Sequence, residues 1–425
     1  MPALEPFLRE RDAAGFIGPR IGDLLGRPAR LEGLRILHAW RRSYTKPQRQ
    51  TDAYLRVCYE MTLSDANGEL TPRLVHGTVH RRRPDGRALR HAEGAQQLLA
   101  NDDVCFAAQV FPADHGLPQL AACYDGEALR RRLPDAVAAE LGQLARLSIT
   151  VASYRPGERC TLRIGNGAAT VYLKLFRPSA AAAIAQRWQE LGAQHGASRF
   201  PVLLAICPAD DALWFSAAKG INARDALRAR RYNDAMPAIA AALADLHGRE
   251  ANDSVVSPCD RAVLVVEAQR KLRKMLTAQL IDDELCGRVG VTLGQENAAI
   301  PQRQSRLLHG DVHAGQFVLD AGHAKVLDLD EMTAGEIERD LAMLIVDTLF
   351  ADLGCVPPAA AISTLLARYT RHAVEAPDQR LLDWYCRLSL IDRAYRDYWR
   401  FGRQAAARCR AILSRAAGSG REVWR

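Results

Sequence analysis

The sequence predicts an α+β protein, and three observations carry that expectation. Short apolar runs of strand length crowd into the chain up to about residue 220, at 34–44, 53–63, 74–80, 103–111, 147–153, 160–164, 170–176, 202–206 and 212–216. Longer runs with apolar residues three and four apart dominate beyond it. A last pair of short runs, 316–319 and 324–329, returns to strand length late in the chain, with Ala321-Gly322 between them as a turn signal.

Composition narrows the class. The chain has 425 residues, enough for two or three packed units. Hydrophobic residues make up 48% and charged residues 25%, as in ordinary water-soluble domains. No apolar run reaches the ~18 residues a membrane span needs. The start, MPALEPFLRERDAAGF, lacks a basic segment followed by an apolar core, so no secretory signal is expected. Ten cysteines are scattered singly with no C-x-x-C pair, which argues against a zinc site or a disulfide framework and fits reduced thiols in a cytoplasmic setting. The formal net charge is +8. Arg81-Arg82-Arg83 and Arg130-Arg131-Arg132 are the sharpest basic clusters, without interleaved aromatics. They read as solvated loop or helix ends rather than a nucleic-acid surface, and neither nucleic acid nor a membrane is expected as a partner.

In chain order, residues 1–140 read as an accessory α+β region with no assignable chemistry. Tyr54, Val57, Tyr59 and Met61 mark its best strand, Asp65-Ala-Asn-Gly68 is a turn, and 74–80 is the return strand. Residues 121–147 are helical in composition and broken at Pro134. Ser43-Tyr-Thr-Lys-Pro47 before a strand faintly echoes Ser153-Tyr-Arg-Pro-Gly157 before another, an echo short enough for chance.

From about 145 the pattern sharpens into strands joined by tight turns, Arg155-Pro-Gly157 and Asn166-Gly167. The run TVYLKLF at 170–176 alternates cleanly: Val171, Leu173 and Leu175 face one way, Tyr172, Lys174 and Phe176 the other. Lys174 thereby projects from a strand interior, where an ammonium needs compensation. A helix at 180–194 carries Glu190. Further helices are expected at 223–231, 233–247, 261–285, 338–349, 359–373 and 379–416, with Pro357-Pro358 as a break. His247 ends the second of these and reads as a packing or capping residue. Trp384, Leu388, Ile391 and Tyr395 form a stripe at helical spacing in the last, more a core face than a ligand box.

The chemistry concentrates in 307–342, LLHGDVHAGQFVLDAGHAKVLDLDEMTAGEIERDLA. His309, Asp311, His313 and Gln316 lie at or before the first strand of the late hairpin, and Asp328 and Asp330 at the end of the second. A hairpin gathers these groups at one end. Carboxylates and an amide together suit a hard divalent cation such as Mg²⁺, which takes oxygen ligands and pairs with phosphate.

His-Gly-Asp-x-His-x-x-Gln at 309–316, then Leu-Asp-Leu-Asp at 327–330 and Asp-Leu-Ala at 340–342, resembles the aminoglycoside phosphotransferase and choline kinase superfamily of small-molecule kinases. The resemblance implies a bilobal protein-kinase-like fold, with 1–140 as the added N-terminal region, a β-rich N-lobe and hinge at 141–220 and a helical C-lobe at 221–425. It implies Asp311 as the catalytic aspartate, Asp328 as the metal aspartate, Gln316 in place of the usual metal-binding Asn, and Asp340 as the brace of the loop. It implies Lys174 at the α- and β-phosphates of ATP (or GTP), Glu190 as its orienting partner, and the turn 154–159 over phosphate with Ser153 as a hydroxyl donor. The adenine edge would meet the hinge backbone at Ser216–Ala218.

The acceptor expected from this resemblance is a small-molecule hydroxyl on a sugar, amino sugar, aminoglycoside or amino alcohol. The segment 384–425 carries ten Arg against three acidic residues, which weighs against a polycationic aminoglycoside and puts a neutral or anionic hydroxyl compound, such as a sugar or sugar phosphate, at least level with it. Gln316 and the unassigned first 140 residues leave a nucleotide-binding pseudokinase scaffold as the alternative. A protein kinase is disfavoured: H-R-D, D-F-G and A-P-E are absent, and the span from Asp328 to Asp340 is too short for an activation segment.

Overall fold

The computed structural model describes residues 2–42, 54–65, 67–81, 97–101, 103–194, 199–252, 254–350, 359–399 and 405–418. The described residues fall into two compact units, one drawn from Met1–Ala182, Leu204–Phe215 and Trp399–Phe401, the other from Ala183–Leu203, Ser216–Tyr398 and Gly402–Arg425.

The first unit opens with a 3-10 turn, Pro2–Leu8, and two short helices, α1 (Glu10–Ile17) and α2 (Ile21–Leu25). Strands β1 (Arg30–Arg42), β2 (Tyr54–Ser64), β3 (Leu70–Arg81), β4 (Gln97–Ala100) and β5 (Val104–Val110) follow. They form one sheet in the order β1-β2-β3-β5-β4, with every neighbouring pair antiparallel. β2 is covered on both faces, so its sequence is nearly continuous in apolar residues rather than strictly alternating. On one face Phe7, Ile17, Ile21, Tyr59 and Phe106 form a core, and the Tyr59 hydroxyl donates to the Phe7 carbonyl at 2.8 Å. On the other, Cys58 and Leu74 pack with Phe111, Leu117, Tyr154, Leu162 and Leu173.

That second core lies under three short helices, α3 (Leu120–Tyr124), α4 (Gly126–Arg130) and α5 (Asp135–Leu141), and a second sheet. The sheet comprises β6 (Ser148–Arg155), β7 (Arg159–Gly165), β8 (Thr170–Phe176), β9 (Leu203–Cys207) and β10 (Ala212–Ser216), in the order β6-β7-β8-β10-β9. The helical run is interrupted at Pro134 as expected, and α5 begins at the residue after it. α1, α2 and β4 escaped the sequence reading because each is short and lacks a sustained periodic pattern. Ser43–Pro47, Arg82, Arg83 and Pro357-Pro358 lie outside the described residues.

The second unit is helical. Its elements are α6 (Ala181–Gln194), β11 (Ile221–Asn222), α7 (Ala223–Arg228), α8 (Tyr232–His247), α9 (Arg261–Thr277), α10 (Asp283–Ala299), β12 (Arg306–Leu308), β13 (Phe317–Asp320), β14 (His323–Val326), β15 (Thr333–Gly335), α11 (Glu338–Phe350), α12 (Ala359–His372), α13 (Gln379–Trp399) and α14 (Ala405–Ala417). The helix expected over 261–285 is two helices. Gln279 adopts a left-handed φ of 56°, and the Asp282 carboxylate caps α10 by accepting the Leu285 N–H at 2.8 Å. The helix expected over 379–416 is α13 and α14, with 400–404 outside the described residues. α8 carries a buried Ala-Ile-Leu face and packs on α12 and β14. Trp384 and Ile391 of the α13 stripe are core, as expected.

A strand-rich unit and a helix-rich unit make this the α+β, kinase-like pattern that the sequence predicts. Among the described residues no helix is long and apolar enough to cross a membrane.

Candidate active site

The late hairpin forms as expected. β13 and β14 pair antiparallel from Phe317↔Val326 to Asp320↔His323, closed by Ala321 (φ 47°) and Gly322 (φ 81°), the two left-handed positions of a type I′ turn. β11 adds a third strand, Asn222 opposite Val318. The Asn222 side chain caps α7 through the Arg224 N–H at 2.9 Å and donates to the Gly315 carbonyl at 3.0 Å. Gly220 is required in this corner: a Cβ there would stand 2.1 Å from the Leu319 carbonyl oxygen.

The loop bearing Asp311 hangs between β12, paired with β15, and the hairpin. Asp340, fully buried near the start of α11, accepts the His309 N–H at 2.7 Å, the Gly310 N–H at 3.1 Å and His247 Nε2 at 3.1 Å. Burial pushes the Asp340 carboxyl up, but the hydrogen bond from His247, with the Arg339 charge assisting, outweighs it and holds the group below its ordinary range. His247 is itself buried and bonds the Tyr369 hydroxyl at 2.7 Å, so it packs and positions, as its place in the sequence predicts. Gly310 sits at φ 85°, with the Glu331 carbonyl 2.1 Å from where a Cβ would be.

His309 ties the loop to the hairpin. The Asp311 N–H donates to its Nδ1 at 3.3 Å, and its Nε2 reaches the Leu327 carbonyl at 2.9 Å. Both bonds are satisfied by the tautomer with the proton on Nε2. One buried imidazole therefore spans from the backbone of Asp311 to the residue before Asp328. Asp328 takes a left-handed φ of 56°, and its Oδ2 accepts the Gln316 side-chain N–H at 3.0 Å. Below that pair, the Leu327 N–H donates to the Gln316 carbonyl at 2.8 Å. Asp330 is buried, and its carbonyl accepts from Arg187 of α6 at 2.5 Å.

Among the described residues no three His, Cys, Asp or Glu side chains converge as a ready-made metal cage. The Asp328–Gln316 pair fits a cation that takes few protein oxygens and completes its shell from phosphates and water, which is the habit of Mg²⁺.

Lys174 and Ser153 belong to the first unit. Lys174 lies half-buried on β8 opposite Thr161, with its ammonium 5.6 Å from the Phe215 ring centroid. Val171, Leu173 and Leu175 are buried on the opposite face. Ser153 is exposed on β6 beside a bulge in its pairing with β7. The turn after it is braced from within the unit. Asp114, buried, accepts the Gly157 N–H, the Tyr154 hydroxyl and the Gly116 N–H, each at 2.8 Å. The Glu158 N–H is also taken, by the Arg155 carbonyl at 3.0 Å. Of the second unit's other candidates, Glu190 accepts the Asn252 side-chain N–H at 3.3 Å. The Ser216 N–H donates to the Val202 carbonyl at 2.9 Å, and its Oγ accepts the Val202 N–H at 2.8 Å. Ala218 lies in the irregular segment after β10.

Sequence reasoning missed the groups around Asp311 that come from distant helices. Arg396 of α13 places Nη2 3.7 Å from the Asp311 Oδ1. Asp347 of α11 accepts the Ala314 N–H at 3.2 Å and pairs with Arg224 of α7 at 3.7 Å. Burial, with Arg224 assisting, holds the His313 imidazole below its ordinary pKa against the pull of Asp347 and Asp311. Only the arginine-rich composition of the last helices hinted at any of this.

A family model described as the phosphotransferase enzyme family matches residues 157–395. None of the curated proteins matches the chain. Among solved structures the chain is similar to an ethanolamine kinase from Plasmodium vivax, at 11% identity and a TM-score of 0.48, covering 71% of this chain and 89% of that one. A choline/ethanolamine kinase family protein from Mesorhizobium loti is similar at 15% identity and a TM-score of 0.48, over 68% of this chain and 96% of that one. An aminoglycoside-3'-phosphotransferase of type VIII is similar at 19% identity and a TM-score of 0.43, over 62% and 96%.

Proposed function

The chain belongs to the phosphotransferase enzyme family and is a small-molecule kinase, and from that premise we propose that it moves the γ-phosphoryl group of ATP to a hydroxyl of a small molecule with Mg²⁺ as the metal. Asp311 hydrogen-bonds the acceptor hydroxyl and takes its proton. The hydroxyl oxygen bonds to the γ-phosphorus as the bond from that phosphorus to the β–γ bridging oxygen breaks, and ADP leaves with the electron pair. Lys174 neutralises charge on the α- and β-phosphates, with Glu190 orienting it. Ser153 donates to phosphate, and the backbone at Ser216 and Ala218 meets the adenine edge. Asp328 and Gln316 would hold the Mg²⁺, which supplies charge neutralisation at the phosphate oxygens. Nine described cysteines are all free thiols, in keeping with a cytoplasmic setting.

The observation that carries this reading is the buried His309 bridge between the Asp311 backbone and the end of the hairpin that presents Asp328. It presets two carboxylates on separate segments, which is how positioning lowers a barrier before any proton moves. Calorimetric titration with a non-hydrolysable ATP analogue tests the nucleotide half. Mg²⁺-dependent binding that Asp328→Ala abolishes supports the reading, and binding indifferent to Mg²⁺ or to that substitution counts against it.

A further inference from the structure

Beside Asp311 the second unit has a small open cleft lined by Val312, Asp347, Ser389, Asp392, Arg393 and Arg396. Both carboxylates in its wall already have cationic partners. Asp347 pairs with Arg224 at 3.7 Å, and Asp392 holds the Lys271 ammonium at 2.5 Å. Arg393 is buried and donates to the Phe350 carbonyl at 2.6 Å. Four cationic side chains, Arg224, Lys271, Arg393 and Arg396, thus stand against three carboxylates, Asp347, Asp392 and Asp311 itself. His313 does not change that balance, since burial lowers its pKa.

Arg396 is the group that decides what this charge is for. Its guanidinium is half exposed and lies 3.7 Å from the Asp311 carboxylate, close enough to attract it and too far for a hydrogen bond. In that place it competes with an acceptor hydroxyl for Asp311. A planar guanidinium fork binds a carboxylate or phosphate bidentately, and such a group on the acceptor would draw Arg396 off Asp311 as the hydroxyl docks. A cationic acceptor has no such use for Arg396 and meets repulsion from it.

We propose that the acceptor carries an anionic group, a carboxylate or a phosphate ester, near the hydroxyl that is phosphorylated, and that Arg396 binds it. The proposal rests on the kinase reading above and names its substrate class. The test is ADP release by the full chain with Mg²⁺ and ATP, using glycerate, glucose 6-phosphate, choline and kanamycin in turn as acceptors. The expected result is a kcat/KM for glycerate or glucose 6-phosphate about tenfold or more above that for either cation, and the better of the two anions tells carboxylate from phosphate. Arg396→Gln then raises KM for that anion about tenfold with a smaller change in kcat, and Arg396→Lys, which keeps the charge but loses the fork, falls between. Preference for choline or kanamycin overturns the proposal while leaving the kinase reading standing. An unchanged KM in Arg396→Gln overturns the assignment to Arg396. No ADP release with any acceptor, where Mg²⁺-nucleotide binding also fails, removes the kinase reading and this proposal together.

Discussion

The Gln316 side-chain amide donates to the Asp328 carboxylate across 3.0 Å, from the start of one hairpin strand to just beyond the end of the other. Glutamine stands here where the family resemblance leads one to expect asparagine, and its amide reaches the carboxylate directly. A cation held by both residues needs the amide turned so that its oxygen faces the metal, a rotation about the terminal side-chain torsion that costs little.

Gln316→Ala removes both the brace on Asp328 and the second oxygen. We expect the Mg²⁺ concentration for half-maximal turnover to rise about 10–100-fold, the usual cost of losing a group that orients a metal ligand. Gln316→Asn should recover most of that loss. A Mg²⁺ titration of the steady-state rate checks both, and an unaltered Mg²⁺ requirement in Gln316→Ala removes the residue from the metal site.

Asp340 is a structural keystone rather than a reactive group, because three donors converge on it and none of its surface is exposed. Asp340→Asn should lower the unfolding free energy by roughly 1.5–3 kcal/mol, the worth of a hydrogen bond to a buried charged group. The pH dependence follows from the sign of its shift. The folded carboxyl titrates below its ordinary value of 3.8, so its stabilising contribution is complete above that value and is lost as pH falls through the lower folded one. Urea unfolding should therefore show a constant gap between wild type and Asp340→Asn from neutral pH into mild acid, closing only in strong acid. A gap that closes near pH 6 contradicts this.

Asp114 links the N-terminal region to the turn between β6 and β7. Replacing it with alanine strands the Gly157 N–H and the Tyr154 hydroxyl, which should cost roughly 2–5 kcal/mol of stability. If the turn covers nucleotide phosphate, Asp114→Asn should raise KM for ATP more than it lowers kcat. Gly116→Ala probes the same contact sterically, because its Cβ would fall 2.5 Å from the Gly157 Cα, and overpacking of that kind costs about 1–3 kcal/mol. Equal KM values for ATP in wild type and Asp114→Asn would confine the contact to a structural role.

The hairpin and its charged ends were legible because every cue is local. Ala321-Gly322 sets the register, and Asp311, Gln316 and Asp328 fall within one short stretch. The alternation at 170–176 likewise placed Lys174 on the less buried face of β8. What stayed hidden depends on long-range packing. Arg396 meets Asp311 only because α13 crosses the loop, and a lone arginine in an arginine-rich helix carries no signature of that. Asp114 sits in a segment without periodicity, and its role is visible only once Tyr154 and Gly157 are beside it. The division of 261–299 into α9 and α10 turned on a left-handed Gln279, a residue type that rarely announces such a backbone.

The central claim is that Asp311 is the group that receives the acceptor proton, and the most direct measurement is single-turnover phosphoryl transfer by Asp311→Asn under saturating nucleotide and Mg²⁺. The substitution keeps the size of the side chain and removes the charge. We expect the chemical step to slow by roughly 10²–10⁴-fold with nucleotide affinity little changed, the range for a positioned proton acceptor. A slowing of less than about threefold, outside that range, would contradict the role of Asp311 and shift weight to a nucleotide-binding scaffold.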